Sequence, residues 1–203
     1  MGIDNTELIK NSPLPVYTRQ NLQLLLGNNR RTLDYRIYSL IKNKILRPIK
    51  RGVYLNEYFY LKSTDPEGLL RYVGCILVPN SYVSLQYALA CYGLIPEAVY
   101  AMTFVTTNKP RKYIFSVPSF IYRNIKKDLF WGYNTISIGN LTYQMATPAK
   151  ALFDSLYLAP VNSFFDMRLN LDNLSDQDKV EFTQAVEKSK SVKMQKILKY
   201  DFK

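Results

Sequence analysis

The first sixty residues have a pattern of apolar and polar positions that predicts three short helices followed by a β-hairpin. The expected elements are helices at 7–11, 19–26 and 31–43 and two short strands joined at Arg51-Gly52. Thr18 is a suitable N-cap for the second helix, and Gly27 tolerates the left-handed conformation at its C-terminal end. Gly52 supplies the positive φ that a tight hairpin turn requires. This order of elements is typical of a winged helix-turn-helix.

The third predicted helix has one apolar side and one cationic side. At about 100° per residue, the apolar side is a narrow stripe formed by Leu33, Ile37, Leu40 and Ile41. The opposite side carries cations and aromatic rings, from Arg31, Tyr35, Tyr38 and Lys42. Arg30 and Arg31 lie in the first turn, where the helix dipole makes a cation unfavourable by about 0.3–1 kcal/mol. An anion shared between these arginines and the free backbone N–H groups would account for them.

Beyond the polar segment Leu61–Gly68, which we interpret as a linker, the pattern changes. The expected elements are helices at 69–78 and 82–92, a strand-rich block over 98–147, and helices from Pro148 and Ser175 onward. Ser81 is the expected N-cap of the helix at 82–92, and Pro148 suits the first turn of the next helix. Ser175 and Asp178 form a capping box.

These patterns predict an α+β protein with two domains. Residues 1–62 are expected to form a winged helix-turn-helix. Residues 67–203 are expected to form a mixed helix/antiparallel-sheet domain with a helical C-terminal tail.

Three features of the sequence bear on its cellular compartment. The uncharged run Tyr72–Pro96 is interrupted by Pro79 and Asn80, so it predicts two short core helices rather than a membrane span. The first residues, MGIDNTELIK, contain acids and lack the apolar core of a signal peptide. Cys75 and Cys91 lack a CxxC spacing and are expected to be buried free thiols. We therefore expect a soluble, cytoplasmic protein.

Composition and charge point to a polyanionic partner. The chain has 203 residues, 47% of them apolar, with a formal net charge of +11, which favours nucleic acid or an anionic membrane. Between Arg30 and Arg51, eight Lys or Arg accompany a single acid, Asp34. A solvated helix face is the simpler explanation, but placement on a helix-turn-helix favours double-stranded DNA. The candidate DNA contacts are Arg30, Arg31, Tyr35, Tyr38, Lys42, Arg47, Lys50 and Arg51.

A second basic cluster occupies the predicted strands of the middle region. Its cations are Lys109, Arg111, Lys112, Arg123, Lys126 and Lys127, and its aromatic residues are Tyr113, Phe115, Phe120 and Tyr122. Three interpretations stay open for it. The rings stack on nucleic acid, or the cations protect an edge hairpin whose rings lie in the core, or the cluster docks an acidic or RNA-associated protein.

The sequence offers little for catalysis. It has no histidine, which excludes histidine metal sites and Ser-His or Cys-His nucleophile pairs. Asp176-Gln177-Asp178 matches the Asp-x-Asp metal pair of nucleotidyltransferases, but a helix cap explains both acids without a metal. Asp154 lies four residues after Lys150, which suits an ion pair along one helix. We expect no catalytic residue, no metal and no cofactor, and an enzyme (a nucleotidyltransferase or nuclease) is the least favoured hypothesis.

Two segments resemble one known family. IKNKILRPIKRGVYL (Ile41–Leu55) is similar to the end of the third helix and the basic hairpin of the AbiEi-type antitoxins. YQMATPAKALFDSLYL (Tyr143–Leu158) resembles a segment of the same family's second domain, with Ala149 in place of the usual Glu. The resemblance spans about residues 4–158 and rests on the order and distance of the two segments.

The resemblance implies the antitoxin of a bacterial type IV toxin–antitoxin system. Such a protein represses its own operon through a winged helix bound to operator inverted repeats, and its second domain neutralises a nucleotidyltransferase-like toxin, directly or indirectly. It would be a monomer or weak dimer in solution and could bind DNA cooperatively. The DNA-facing residues carried over are Arg30, Arg31, Tyr35, Lys42, Lys50 and Arg51, and the candidate partner surface is Lys109–Lys127. The alternative is a winged-helix regulator with a ligand- or protein-binding second domain and no toxin partner.

Overall fold

A computed structural model of the chain describes residues 5–114, 118–160, 167–200 and 202. The protein is a mixed α+β structure, as the sequence predicts. The chain divides into two compact units, one made of Met1–Leu70 with Tyr113–Phe115 and the other of Arg71–Lys112 with Ser116–Lys203. Each unit buries apolar side chains of its own.

The first unit contains the three helices and the hairpin expected from the sequence, together with two further short elements. In chain order they are α1 (Asn5–Lys10), β1 (Val16–Thr18), α2 (Arg19–Leu26), α3 (Arg30–Lys42), β2 (Leu46–Lys50), β3 (Val53–Asn56) and α4 (Glu57–Lys62). The strands form an antiparallel sheet in the order β1-β3-β2. The sequence pattern missed β1 because three residues are too few to show alternation. It missed α4 because the aromatic residues of EYFYLK are more typical of strands.

The apolar stripe predicted for α3 is buried, which confirms that part of the prediction. Leu33, Ile37 and Leu40 are almost inaccessible to solvent, and Ile41 packs partly buried against the same cluster. Other members of this cluster are Ile9, Tyr17, Leu22, Leu26, Ile45 and Leu46. Burying one aliphatic side chain contributes about 1.5–3 kcal/mol. The stripe therefore holds α3 against the rest of the unit and determines which side of the helix faces outward.

The predicted ends of these elements are confirmed at two of three positions. Thr18 caps α2 in a capping box with Asn21, and Gly52 has a φ of 76° in the hairpin turn. Gly27 differs, since its φ of 104° and ψ of 161° describe an extended residue with positive φ rather than the predicted left-handed conformation. Only glycine adopts this geometry readily, and it turns the chain from α2 into the short loop before α3.

Asn56 ties the end of the hairpin to the start of the unit. Its side chain is fully buried, and its amide group donates to the carbonyls of Ile9 and Leu14 at 2.9 and 3.2 Å. Its side-chain oxygen accepts a hydrogen bond from the N–H of Phe59 and so caps α4. A buried amide with all these partners is satisfied, whereas an unpaired one would cost about 1–3 kcal/mol. The residue at the end of β3 thus sets where α4 begins.

The second unit is built on a six-stranded sheet with helices around it. After α5 (Pro66–Leu77), which contains the division between the units, its elements are β4 (Ser81–Val83), α6 (Leu85–Cys91), β5 (Met102–Thr106), β6 (Arg111–Tyr113), β7 (Phe120–Asn124), β8 (Tyr133–Ile138), β9 (Leu141–Ala146), α7 (Pro148–Leu158), α8 (Asp176–Ser189) and α9 (Val192–Tyr200). The strand order is β6-β7-β5-β4-β9-β8. Short 3-10 helices cover Lys127–Leu129 and Leu171–Asn173. The helical tail is confirmed.

Two predictions for this unit are wrong. The sheet is mixed rather than antiparallel, because β4 pairs with β9, and β5 with β7, in parallel. Ser81 is not a helix N-cap, because Ser81–Val83 forms a strand at the centre of the sheet and α6 begins only after Ser84. All three residues of β4 are buried, and a central strand with no exposed face lacks the alternation that distinguishes it from a helix.

The predicted linker and the uncharged run also differ from expectation. Helix α4 ends at Lys62 and α5 begins at Pro66, so most of Leu61–Gly68 is helical. The run Tyr72–Pro96 contains the central strand β4 as well as the two expected helices. In the part of the chain that the structure describes, none of the helices is both long and apolar enough to span a membrane.

The two cysteines have different environments. Cys75 is half-buried, and burial raises the pKa of its thiol to about 11. Cys91, the last residue of α6, is exposed, so the prediction of a buried thiol is wrong there. The apolar residues around Cys91 in the sequence do not show that it lies at the exposed end of a helix.

The packing of α5 against the sheet depends on the absence of a side chain at Gly74. The ring of Phe104 lies where a Cβ at this position would be, and it stacks on Tyr122 with ring centroids 4.8 Å apart. The hydroxyl of Tyr122 in turn donates to the carbonyl of Gly74 at 2.7 Å. The backbone of α5 and two rings of the sheet therefore form one close contact.

We expect Gly74→Ala to lower the free energy of unfolding by about 1–3 kcal/mol, because the new methyl group displaces the Phe104 ring. The cost of displacing the ring must therefore exceed the gain of about 1 kcal/mol that alanine gives over glycine inside a helix. Urea unfolding followed by circular dichroism measures the difference. Exposed Gln184→Ala on α8 is the control for helix propensity. A Gly74→Ala protein as stable as the unchanged chain would contradict the prediction, and Phe104→Leu added to it should recover part of the loss.

Candidate nucleic-acid interface

The outward side of α3 carries the predicted cations and aromatic rings. Tyr35 and Tyr38 are 72% and 63% exposed, and Arg31 and Lys42 are exposed beside them. Two exposed tyrosines on one helix are unusual for a side chain whose ring is largely apolar. The side chains that the periodicity placed on one face do lie on one face, directly opposite the buried stripe.

The first turn of α3 combines cations with open backbone donors. Asn29 is the N-cap, and its side chain accepts a hydrogen bond from the N–H of Thr32. Arg30 and Arg31 are the first two helical residues and are exposed. Helix geometry leaves their backbone N–H groups without an intrahelical acceptor. Two guanidinium groups and two open N–H groups therefore occupy the positive end of the helix dipole, which suits an anion.

The only acid in the basic stretch is neutralised within the unit. A guanidinium nitrogen of Arg19, at the start of α2, lies 2.5 Å from a carboxylate oxygen of Asp34. This hydrogen bond holds the pKa of Asp34 below its ordinary value. The N–H of Arg19 also donates to the carbonyl of Gly52 at 2.8 Å, which ties α2 to the hairpin turn. Asp34 therefore does not cancel the charge of the neighbouring arginines.

Three arginines surround a depression on this unit. Arg19, Arg30 and Arg51 line a cavity of about 490 Å³, together with Leu33, Gly52 and Asp34, the partner of Arg19. We call it the basic depression. The sequence pattern did not single out Arg19, because it stands apart from the basic run and only the fold brings it beside Arg30 and Arg51.

The hairpin supplies fewer open cations than the sequence suggested. Lys50 ends β2 and Arg51 lies exposed in the turn. Arg47 is half-buried, and its guanidinium forms two hydrogen bonds with the carboxylate of Glu57, one of them 2.7 Å long. The same group lies 4.9 Å from the ring centre of Tyr60. Helix α4 was not predicted from the sequence. The contacts of Glu57 and Tyr60 with the Arg47 guanidinium were therefore not predicted either.

One further cation of the stretch has a role inside the unit. Arg36 donates to the carbonyl of Leu26 and so satisfies the C-terminal end of α2. By contrast, no carboxylate in the described part of the chain forms an ion pair with Arg31, Lys42 or Arg51. The exposed cations without a described ion pair thus include Arg31 and Lys42 on the outward side of α3 and Arg51 in the hairpin turn.

Two of the four rings of the second basic cluster are buried and not available for stacking, and a third, Tyr113, is half-buried. Phe120 and Tyr122 are buried on β7, so the interpretation with stacked bases is wrong for both, whereas Phe115 lies outside the described residues. Arg111 and Lys112 are exposed on β6, the outermost strand of the sheet. Exposed cations on an outer strand and rings in the core agree with the protected edge hairpin. The other cations of the cluster, Lys109, Arg123, Lys126 and Lys127, are also exposed.

Lys150 and Asp154 form the predicted ion pair along α7, and the pair is buried. The ammonium lies 2.6 Å from the carboxylate, and both side chains are fully inaccessible. The carboxylate also accepts hydrogen bonds from the hydroxyls of Tyr82 and Ser84 at 2.9 and 2.8 Å, and Lys150 donates to the carbonyl of Leu129 at 2.8 Å. Burial raises the pKa of Asp154 and lowers that of Lys150, because desolvation disfavours both charges. The pair joins α7 to the central strand β4 and its C-terminal end.

Of the two acids predicted to cap α8, Asp178 takes part in the cap and Asp176 does not. The side chains of Ser175 and Asp178 exchange hydrogen bonds with each other's backbone N–H, which defines a capping box. Asp176 is fully exposed and lies 3.8 Å from Lys179. Among the residues that the structure describes, no group of three His, Cys, Asp or Glu side chains converges in a way that could hold a metal ion.

No protein-family model matches the chain, and a search of curated proteins found no relative of it. The likeness to the AbiEi-type antitoxins therefore rests on the two segments Ile41–Leu55 and Tyr143–Leu158 alone. In the structure these are the end of α3 with its hairpin and the end of β9 with α7.

Proposed function

We propose that this protein is a DNA-binding transcription regulator whose first unit is a winged helix-turn-helix. The observation that carries the proposal is the exposed cationic and aromatic side of α3, held outward by a buried stripe on the same helix. Neutralisation of Asp34 by Arg19 leaves this surface positive. Such a surface suits the phosphate backbone and groove edges of duplex DNA.

The order of elements supports the winged-helix interpretation. Helices α2 and α3 follow one another across a short loop, and β2 and β3 form a hairpin directly after α3. Strand β1 completes a three-stranded antiparallel sheet. In this arrangement α3 is the recognition helix that enters the major groove, while the hairpin contacts the flanking backbone.

The proposed contacts follow from position. Arg31, Tyr35 and Lys42 contact base edges or the adjacent backbone from the outward side of α3, since an arginine can bond a guanine edge through two hydrogen bonds. A phosphate enters the basic depression, which is lined by Arg30, at the first turn of α3, and by Arg51. Phosphate contacts position the protein, and the base contacts of α3 give specificity.

Titration of the full chain with the duplex upstream of its own operon tests the proposal. Fluorescence anisotropy at several salt concentrations gives the slope of log affinity against log salt, and we expect about −0.9 for each phosphate neutralised. A duplex of scrambled sequence is the control for specificity. Affinity that does not change with salt, or absence of binding at low salt, would contradict a DNA-binding role.

The proposal includes the antitoxin function implied by the family resemblance. In it, the protein represses its own operon, and the second unit neutralises a nucleotidyltransferase-like toxin. Its exposed cations on β6 and β7 are the candidate docking face for that partner. The alternative is a regulator whose second unit binds a ligand or another protein. A neighbouring reading frame with a Gly-Ser…Asp-x-Asp signature, whose product arrests growth unless this protein is co-expressed, separates the antitoxin from the alternative.

A further inference from the structure

The sheet of the second unit ends in a strand with an open edge, β8. In the strand order β6-β7-β5-β4-β9-β8, this strand pairs with β9 on one side, and its other side faces none of the described strands. The four central residues, Asn134–Ser137, are exposed. An edge strand of this kind is a template on which another strand can pair.

The hairpin geometry determines which backbone groups of β8 bond to β9. Gly139-Asn140 joins the two strands, and the φ of 56° at Gly139 suits a type II′ turn, in which Ile138 and Leu141 exchange hydrogen bonds. Before the strand, the carbonyl of Gly132 accepts a hydrogen bond from the N–H of Thr147 at 3.0 Å. Both ends therefore show that the even-numbered residues turn their backbone groups toward β9.

The odd-numbered residues of β8 turn theirs to the open edge. Successive residues of an antiparallel strand alternate in the direction of their hydrogen bonds. The N–H and C=O groups of Tyr133, Thr135 and Ser137 therefore point away from β9. None of these groups forms a backbone hydrogen bond outside the hairpin within the described residues.

Open backbone groups elsewhere in this unit have side-chain partners. The ammonium of Lys193 on α9 donates to the carbonyls of Leu156 and Ala159, at the end of α7, at 2.5 and 2.6 Å. The hydroxyl of Tyr92 donates to the carbonyl of Ala146, the last residue of β9, at 2.8 Å. The outward edge of β8 has no such cover from a side chain of the described residues.

The other edge strands of the described sheets are protected against pairing. Strand β1 has only three residues, and β2 contains Pro48 and an irregular register before Lys50. Strand β6 also has three residues, of which Arg111 and Lys112 are exposed cations. Short length, proline, irregular register and cations all discourage edge pairing. Strand β8 has six residues in regular register, YNTISI, with no proline and no charge.

The absence of charge around β8 indicates which partner it suits. Between Asp128 and Lys150 the sequence contains no Asp, Glu, Lys or Arg, although the whole chain has a net charge of +11. A partner of opposite charge would be attracted to the cationic surfaces of the chain instead. Two copies of the chain repel each other through their net charge. This repulsion is weakest where neither copy presents a charge, which is the case at the hairpin of β8 and β9.

We propose that β8 pairs antiparallel with β8 of a second copy of this chain, as a two-fold symmetric dimer. The two-fold axis passes beside Thr135, which lies opposite Thr135 of the second copy, and Tyr133 lies opposite Ser137. Each of these pairs exchanges two N–H···O bonds, so all the outward groups of β8 are satisfied. Ile136, which is 36% exposed, packs against Asn134 of the second copy. The contact is the same surface on both copies, as two-fold symmetry requires.

Sedimentation equilibrium of the full chain without DNA measures the association. A single pair of six-residue strands is a small interface, so we expect a reversible dimer with a dissociation constant roughly in the micromolar range. Higher salt should strengthen it, because salt screens the repulsion between two cationic copies. DNA binding has the opposite salt dependence. The result is therefore independent of the DNA-binding proposal.

Thr135→Lys should weaken the dimer by at least roughly tenfold, because two ammonium groups then meet at the two-fold axis. Thr135 is exposed and its backbone does not bond to β9, so the variant is expected to fold normally, which circular dichroism checks. Val180→Lys adds the same charge at a position of α8 that is 56% exposed, and it should leave the dimer nearly unchanged.

Amide hydrogen exchange identifies the paired edge without any substitution. The amides of Tyr133, Thr135 and Ser137 should exchange fast in dilute protein and severalfold more slowly when the dimer predominates. Those of Asn134 and Ile136, which bond to β9, should be protected at both concentrations. A monomer up to about 500 µM, equal association of the Thr135→Lys protein, or exchange of the odd-numbered amides that does not change with concentration would overturn the proposal.

Discussion

Arg31→Ala combined with Lys42→Ala is expected to weaken binding of operator DNA by at least roughly tenfold, and by up to about a hundredfold if Arg31 bonds a guanine edge. Both residues lie on the exposed side of α3, and neither forms an ion pair with a described carboxylate. The loss of a base-contacting arginine should also reduce discrimination between operator and scrambled duplex. Loss of a phosphate-contacting lysine should weaken both duplexes alike and make the salt slope shallower.

The double variant must be compared with one that removes equal charge elsewhere. Lys196→Ala with Lys199→Ala removes two exposed cations of α9 and should leave operator binding nearly unchanged. The stability of the fold provides a second comparison. Arg31 occupies the positive end of the α3 dipole, so its removal should not destabilise the protein. Unchanged operator affinity in a folded Arg31→Ala/Lys42→Ala protein would show that α3 is not the recognition helix.

Asp154→Asn should destabilise the second unit severely, lowering the free energy of unfolding by about 3–5 kcal/mol. The substitution retains a polar group of the same shape but leaves the ammonium of Lys150 fully buried without its counter-charge. The carbonyl of Leu129 remains as a partner for that ammonium but carries no net charge. Breaking one partner of a buried pair is costly because the other charge stays desolvated. Urea unfolding monitored by tryptophan fluorescence measures the loss.

The loss should depend on pH in a defined direction. Burial already lowers the pKa of Lys150, and Asp154 offsets part of that effect. In Asp154→Asn the folded-state pKa of Lys150 falls further below its ordinary value of about 10.4, so the unfolded chain binds more protons than the folded one. The variant should therefore gain stability relative to the unchanged chain as pH rises from neutral toward about 10. A difference that is constant over this range would contradict a charged, buried Lys150.

Two further variants give this prediction its controls. Asp176→Asn makes the same substitution in a fully exposed acid near Lys179 and should have little effect, since surface pairs contribute little. Lys150→Met combined with Asp154→Leu removes both charges and should restore much of the stability lost in Asp154→Asn. If Asp176→Asn were as harmful as Asp154→Asn, the burial of the pair would not be the cause.

The elements that the sequence predicted correctly are those determined by local periodicity or by side chains close together in the chain. Helix α3 was found because four apolar residues recur at helical spacing, and the start of α8 because Ser175 and Asp178 satisfy each other within one turn. Strand β4 was missed because its three residues are buried on every side and show no alternation. The parallel pairing of β5 with β7 depends on contacts between distant segments, which periodicity does not contain.

The candidate sites show the same division between local and distant information. The exposure of Tyr35 and Tyr38 follows from their angle on α3, and the structure confirms it. The role of Arg47 depends on Glu57, which lies in a helix that the sequence pattern did not reveal. The placement of Arg19 beside Asp34 likewise comes from packing of α2 on α3. A side chain's own segment shows whether it faces outward, but only the fold shows which partner it meets.

The bonds from Lys193 to the end of α7 bear on the order in which the protein matures during synthesis. Helix α7 lies in the core of the second unit, yet the carbonyls of Leu156 and Ala159 at its end accept hydrogen bonds from Lys193 on α9. This unit therefore cannot complete its packing on the ribosome until Lys193 has emerged. By contrast α1 to α4 and the three-stranded sheet consist wholly of residues before Ser63. Since domains generally fold as they leave the ribosome, the DNA-contacting surface of the proposed regulator is ready while the rest of the chain is still being translated.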